Sequence, residues 1–170
     1  MIRPILPWPD PRLATPAAPV EAVTDEIRAI WADMIDTMEA MPGHGVGLAA
    51  NQIGVLLRLA VLDCNETRGA AVRLANPEIV AVSDDLSAHD EASPCLPGVD
   101  ATITRPARVT LRFLNEQGQP ETREFSGLWA TSAQHQLDHL AGRMYFDNLS
   151  KLKRDRLLKK ARKLGAGRCG

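Results

Sequence analysis

The chain has 170 residues, of which 45% are hydrophobic, so it can bury one core and is expected to form a single domain over residues 1–170. Its formal net charge of −1 excludes the overall basic excess of a protein built mainly to hold nucleic acid. Its apolar runs fall far short of the ~20 residues that cross a bilayer, which excludes a membrane-spanning protein.

The first elements in chain order are an irregular segment and a helix. Residues 1–19 are rich in proline and are expected to lie over the surface without regular structure. Apolar residues at three- and four-residue steps then predict an amphipathic helix with Thr24 as its N-cap, ended by Pro42 and Gly43. The first 19 residues also lack the apolar stretch of a signal peptide, so the expected location is cytoplasmic.

The middle of the chain has the pattern of short β-strands. Runs with β-type composition occupy residues 57–62, 72–74, 78–82 and 109–114. Residues 115–118 are typical of a hairpin turn. Together these runs predict an antiparallel or mixed sheet.

Two further helices are predicted near the C-terminus. Helical spacing returns over residues 128–145, and the chain from Lys151 is helical by composition. Residues 151–170 carry a net charge of +8, which leaves −9 on the remainder. The tail helix is expected to have a narrow apolar edge under a basic face, formed by Leu152, Leu157, Leu158, Ala161 and Leu164.

Candidate metal ligands lie on and before the helix at residues 128–145. His135 and His139 are four residues apart, which places both imidazoles on one face, although ordinary hydrogen-bonded histidines also show this spacing. Cys95 is the best candidate for a third ligand, and the alternative is a small apolar core residue. With Cys64 and Cys169 the chain has three cysteines, an odd number at unrelated spacings, which favours a reducing compartment over a disulfide framework.

Residues 45–52 form a third candidate segment, Gly-Val-Gly-Leu-Ala-Ala-Asn-Gln. The two glycines would allow a backbone to approach a ligand closely, and Gln52 supplies a side-chain amide. A lone Gly-x-Gly is common in turns, and this one lacks the later glycine of a nucleotide site.

Taken in order, these segments resemble the signature motifs of peptide deformylases, which are glycine-apolar-glycine-apolar-Ala-Ala-x-Gln, Glu-Gly-Cys-Leu-Ser and His-Glu-x-x-His. The first motif is complete at residues 45–52. The second is matched here as Cys95-Leu96, with Ser93, Pro94 and Pro97 in place of the Glu, Gly and Ser. The third reads His135-Gln136-Leu137-Asp138-His139. The likeness covers roughly residues 5–160 and includes Asn76-Pro77 and Arg105-Pro106.

The resemblance implies an α+β fold with antiparallel or mixed sheets around a central metal-binding helix, plus N- and C-terminal helices. It implies a hydrolase that removes the formyl group from the N-terminal methionine of new proteins. Cys95, His135 and His139 would hold one divalent metal, iron(II) or zinc. The Gln52 amide and the Leu96 backbone N–H would stabilise the oxyanion, and the Val46–Gly47 backbone would pair with the peptide as an added strand.

The chain departs from this family at its catalytic glutamate, which is replaced by Gln136. An amide has no titratable proton near neutral pH and cannot relay one. Deformylase activity is therefore expected to be reduced or absent, unless Asp138 acts through a water.

Three functions remain open on the sequence. The first is a deformylase-like metalloprotein with little activity, the second is a slow amide hydrolase with an altered substrate, and the third is a non-catalytic peptide- or ribosome-binding protein. The expected partners are N-formylated or other N-terminal peptides and, through the tail at residues 151–170, ribosomal RNA, without DNA or membrane. The tail also fits an ordinary solvated charged face.

Overall fold

A five-stranded sheet forms the centre of the computed structural model, which describes residues 1–168, so that Cys169 lies outside the described residues. The helices are α1 (Asp25–Glu39), α2 (Gly127–Leu140) and α3 (Lys151–Arg168). The strands are β1 (Gly47–Ala49), β2 (Leu59–Leu62), β3 (Val72–Val82), β4 (Leu86–Glu91), β5 (Ala101–Pro106), β6 (Arg108–Leu114) and β7 (Pro120–Ser126). The large sheet has the order β1-β2-β3-β6-β7, β4 pairs with β5 separately, and all these pairs are antiparallel. The expected α+β class is confirmed.

Helix α1 begins where the sequence predicts it. The Thr24 hydroxyl accepts a hydrogen bond from the Ile27 N–H at 3.3 Å, which satisfies one of the free donors of the first turn. The buried face packs on β1 and β2 through Ile27, Trp31, Met34 and Met38. The helix ends at Glu39, three residues before the predicted end, because the chain already turns at Ala40.

The sheet differs from the prediction mainly in its polar strands. Strand β3 is continuous where two runs were predicted, with a register shift between Ala75 and Glu78. Strands β1, β4, β5 and β7 were missed because they are short or largely polar, and β7 buries only Phe125. The turn at residues 115–118 is confirmed, since the Gly118 N–H donates to the Asn115 carbonyl at 2.9 Å.

The side chain of Asn76 in β3 forms hydrogen bonds with the N-terminal segment. It accepts from the Val20 N–H and donates to the Val20 carbonyl, both at 2.8 Å, while the Asn76 backbone adopts a left-handed φ of 50°. The preceding segment is irregular as predicted, apart from one 3-10 turn at Pro11–Ala14.

Helix α2 is the element that positions the site. One face packs on the sheet through Ala130, Ala133 and Leu140, and nine of its residues are buried. It ends at Leu140 rather than at residue 145, and Tyr145 begins a separate 3-10 turn, Tyr145–Asn148.

Helix α3 docks by a shorter apolar edge than predicted. Leu157 and Leu158 are buried in a cluster with Leu13 and Tyr145, and Ala161 packs against it. Leu152 and Leu164 are exposed, so this part of the prediction is wrong. Among residues 1–168 no helix is long and apolar enough to cross a membrane.

Candidate active site

A cleft of about 550 Å³ lies between the start of β1, the segment after β4 and one face of α2. Five of the sequence-predicted site residues line it: Val46, Gly47, Gln52, His135 and Gln136. Thr131 and Ser132 of α2 also line it. Cys95, Leu96 and His139 are not among its lining residues.

The two histidines lie together, with ring centroids 5.0 Å apart. His135 stacks on Tyr145 and places its Nδ1 2.8 Å from Glu91 Oε1, which leaves Nε2 for another partner. His139 is fully buried and neither ring nitrogen has a hydrogen-bond partner. Burial, reinforced by His135 and Arg105, lowers the pKa of His139 well below its usual value, so the ring is neutral at pH 7. A buried imidazole without partners is costly unless a ligand engages it.

The sequence did not reveal the ion-pair network behind His135. Glu91 accepts hydrogen bonds from Arg105 Nε at 2.7 Å and Nη2 at 2.9 Å, and Arg105 Nη1 reaches Asp138 Oδ2 at 3.0 Å. Burial alone would raise the pKa of Glu91, but the hydrogen bonds from Arg105 and His135 outweigh it and the pKa is lowered. Asn148 also donates to Asp138, and Asp138 is not a cleft-lining residue. Both carboxylates therefore take part in the ion-pair network, Glu91 through both oxygens and Asp138 through Oδ2.

Cys95 and Leu96 do not line the cleft. The Cys95 side chain is 2% exposed and belongs to the apolar cluster of Tyr145, where burial raises the pKa of its thiol despite hydrogen bonds from Gln52 and Ser93. The Leu96 N–H donates to the Ser93 carbonyl at 3.1 Å. Ser93, rather than Cys95, lines the cleft. The roles predicted for Cys95 and Leu96 stay predictions, and these positions do not favour them.

Two glutamine side chains, Gln52 and Gln136, line the cleft. Gln52 Oε1 accepts from the Ala49 N–H at 2.9 Å, and its Nε2 lies 3.6 Å from Cys95 Sγ. Gln136 Oε1 is buried without a partner. A Cβ at Gly47 would lie 2.6 Å from Gln136 Nε2 and 2.5 Å from Ser132 Oγ, so only glycine fits there without displacing these side chains.

The donor set fits a divalent cation only in part. The paired imidazoles suit one, and such an ion would engage a ring nitrogen of His139, which has no hydrogen-bond partner. In the described part of the chain, however, no group of three or more His, Cys, Asp or Glu side chains is arranged to hold a metal ion. The two imidazoles therefore have no third His, Cys, Asp or Glu donor arranged beside them in the described residues.

Comparison with known proteins agrees with this arrangement of elements. The family model "Polypeptide deformylase" matches residues 2–155. A peptide deformylase of Acinetobacter baumannii is 41% identical over 95% of this chain and 90% of its own, and a "Peptide deformylase-like" protein of Bradyrhizobium diazoefficiens is 42% identical over 98% and 96%. The crystal structure of a peptide deformylase from Legionella pneumophila superimposes with a TM-score of 0.90 at 37% identity, covering 99% of this chain and 98% of that one. A family model that spans nearly the whole chain, together with relatives and a structure of matching length, shows that the chain belongs to the peptide deformylase family.

Proposed function

We propose that this chain is a cytoplasmic, metal-binding member of the deformylase family that takes the N-terminus of peptides into its cleft and deformylates them slowly or not at all. The observation that carries the proposal is the side chain of Gln136. It is 4% exposed, it lines the cleft, and its Oε1 has no partner. At the position that the family motif gives to the catalytic glutamate, it brings a group that neither gains nor loses a proton near neutral pH.

No neighbouring carboxylate takes over this role. Glu91 is held by Arg105 and His135, and Asp138 is held by Arg105 and Asn148. Asp90 also lines the cleft, but it accepts a hydrogen bond from the Thr102 hydroxyl at 2.6 Å on the β4–β5 hairpin. A positioned acid–base group contributes about 10²–10⁴-fold in rate, so its loss accounts for a large deficit.

The remaining groups support peptide binding. Strand β1 is an edge strand of the large sheet and borders the cleft at Gly47, so an extended peptide can add to it. The Gln52 amide lines the cleft and is fixed through Ala49, and of its two N–H groups one reaches the Cys95 sulfur and the other is left for a ligand. The divalent metal, iron(II) or zinc in this proposal, would be held by His135 and His139 and would polarise the formyl group.

The proposal is tested by direct comparison with the Acinetobacter baumannii relative. With the same divalent metal, added anaerobically, we expect the kcat/KM for a formyl-Met peptide to be at least about 10²-fold lower for this chain. Comparable rates would contradict it. Faster release of another N-acyl group would favour the altered-substrate hydrolase, and failure to bind either metal or peptide would favour a purely structural protein.

The basic tail supports a second proposal, contact with ribosomal RNA. Within residues 151–165 the exposed cationic side chains are Lys151, Lys153, Arg156, Lys159, Lys160, Arg162 and Lys163. Leu157 and Leu158 anchor the same helix in the domain, so the cations are held on a fixed surface. A fixed basic face attracts a polyanion at long range, and each phosphate contact adds about 0.7–0.9 to the slope of log affinity against log salt.

Reversing four of these charges is expected to abolish co-sedimentation with ribosomes at low salt. The variant carries glutamate at Lys153, Arg156, Lys160 and Lys163, all on the exposed side of α3. A matched pair of variants separates this surface from net charge: glutamine at those four positions, and glutamine at Arg28, Arg108, Arg112 and Arg123, which are exposed elsewhere. The proposal would be contradicted if the two glutamine variants lost co-sedimentation equally, or if charge reversal left it unchanged. Helix α3 would then be an ordinary solvated helix.

A further inference from the structure

The segment after β4 can be matched to the motif Glu-Gly-Cys-Leu-Ser in two ways. The match through Cys95-Leu96 leaves the glutamate of the motif on Ser93. A match that starts at the last residue of β4 reads Glu91-Ala92-Ser93-Pro94-Cys95, and like the first match it has no gap. It places Ser93 on the cysteine, Pro94 on the leucine and Cys95 on the serine.

The contacts of Glu91 favour the second match. Its carboxylate receives two hydrogen bonds from Arg105 and lies 2.8 Å from Nδ1 of His135, so it fixes the orientation of one predicted metal ligand. A carboxylate that orients a ligating imidazole through its other nitrogen is a usual companion of metal sites. Ser93 has no such contact with either histidine, and its Oγ accepts from the Cys95 N–H at 3.3 Å.

The positions of the side chains after Glu91 also favour the second match. Ser93 and Pro94 line the cleft together with His135 and Gln136. Cys95 is buried among apolar side chains of the cluster that includes Leu13 and Tyr145. Its sulfur has the Gln52 amide as its hydrogen-bond partner. Cys95 thus behaves as a small core residue.

We propose that Ser93, not Cys95, occupies the third ligand position of this site, so that the two imidazoles face a neutral hydroxyl where the family has a thiolate. A serine hydroxyl stays protonated near neutral pH and is a much weaker donor to zinc or iron(II) than a thiolate. The same match puts Pro94 at the position of the motif's leucine, where no backbone N–H exists to stabilise an oxyanion. This inference rests on the proposed function and adds to it that the site lacks its anionic ligand as well as its acid–base group.

Cobalt(II) binding tests the assignment without any turnover. The three proteins to compare are the unaltered chain, Ser93→Cys and Cys95→Ser, each titrated with Co(II) and read by the thiolate-to-cobalt absorption in the near ultraviolet. We expect this absorption only in Ser93→Cys, with Co(II) affinity increased at least about 100-fold, because even the outer partners of metal ligands are worth about 10–100-fold. Adding His139→Ala to Ser93→Cys is expected to remove it.

Two results would overturn the proposal. One is a thiolate absorption in the unaltered chain that Cys95→Ser abolishes, which would make Cys95 the ligand. The other is the lack of that absorption in a Ser93→Cys protein whose circular dichroism shows it folded. Neither readout depends on hydrolysis, so rapid deformylation by the unaltered chain would contradict the proposed function and leave the ligand assignment to be decided by cobalt alone.

Discussion

Gln136→Glu is expected to raise formyl-Met peptide hydrolysis by at least about 10²-fold when introduced into a Ser93→Cys/Pro94→Leu background, the lower end for a positioned acid–base group. On the proposed assignment of Ser93 and Pro94, this background supplies the thiolate ligand and the backbone donor, so the deficit that remains is that of proton transfer. Gln136 is nearly isosteric with glutamate and already lines the cleft at 4% exposure, so the exchange needs no repacking. The measurement is kcat/KM with the same divalent metal added to every variant.

Two controls define what the result means. Gln136→Ala in the same background removes the amide without adding a carboxylate and is expected to give no gain. Gln136→Glu in the otherwise unaltered chain is expected to gain far less than in the background, because Ser93 and Pro94 still occupy their positions. A background that gains nothing from the glutamate would show that proton transfer does not limit this protein.

Arg105→Leu is expected to lower the free energy of unfolding by about 3–5 kcal/mol, the usual cost of removing one partner of a buried ion pair. Glu91 is 5% exposed and would keep only His135 as a partner, and Asp138 would lose its contact as well. The measurement is urea denaturation followed by circular dichroism.

Arg108→Leu is the matched control, since it also removes an Arg–carboxylate pair. That pair, with Asp85, has side chains 47% and 58% exposed, so its loss is expected to cost only about 0–1 kcal/mol. Similar losses for the two variants would mean that the network behind His135 contributes little to stability.

The parts of the fold that could be predicted are those with a local signal. Thr24 caps its helix because a hydroxyl at that position reaches the third amide, and the alternation in β6 buries Val109, Leu111 and Phe113. The sequences of β4 and β7 show no clear alternation of apolar residues, and these strands form through pairing with β5 and β6, respectively.

The candidate site was predictable as a set of segments but not as a set of contacts. His135 and His139 follow from helical spacing alone. Glu91 and Arg105 are 14 residues apart and meet only through the β4–β5 hairpin, so neither could be assigned a role beforehand. The sequence match to the second motif selected Cys95 because of its residue type. In the structure Ser93 lines the cleft, whereas Cys95 is buried in an apolar cluster.

The edge strand β1 limits how many residues of a peptide could form backbone hydrogen bonds in the cleft. The Val46 carbonyl accepts from the Asp63 N–H, on the side of β2, and the Ala49 N–H is taken by Gln52. Since backbone groups alternate along a strand, Gly47 and Ala49 both turn to the free edge, and of these two only Gly47 keeps both its N–H and its carbonyl available there. Backbone hydrogen bonds to a single residue fix the register of a bound peptide but make no contact with its later residues. Dipeptides and tripeptides should therefore bind about as tightly as long peptides with the same first residues.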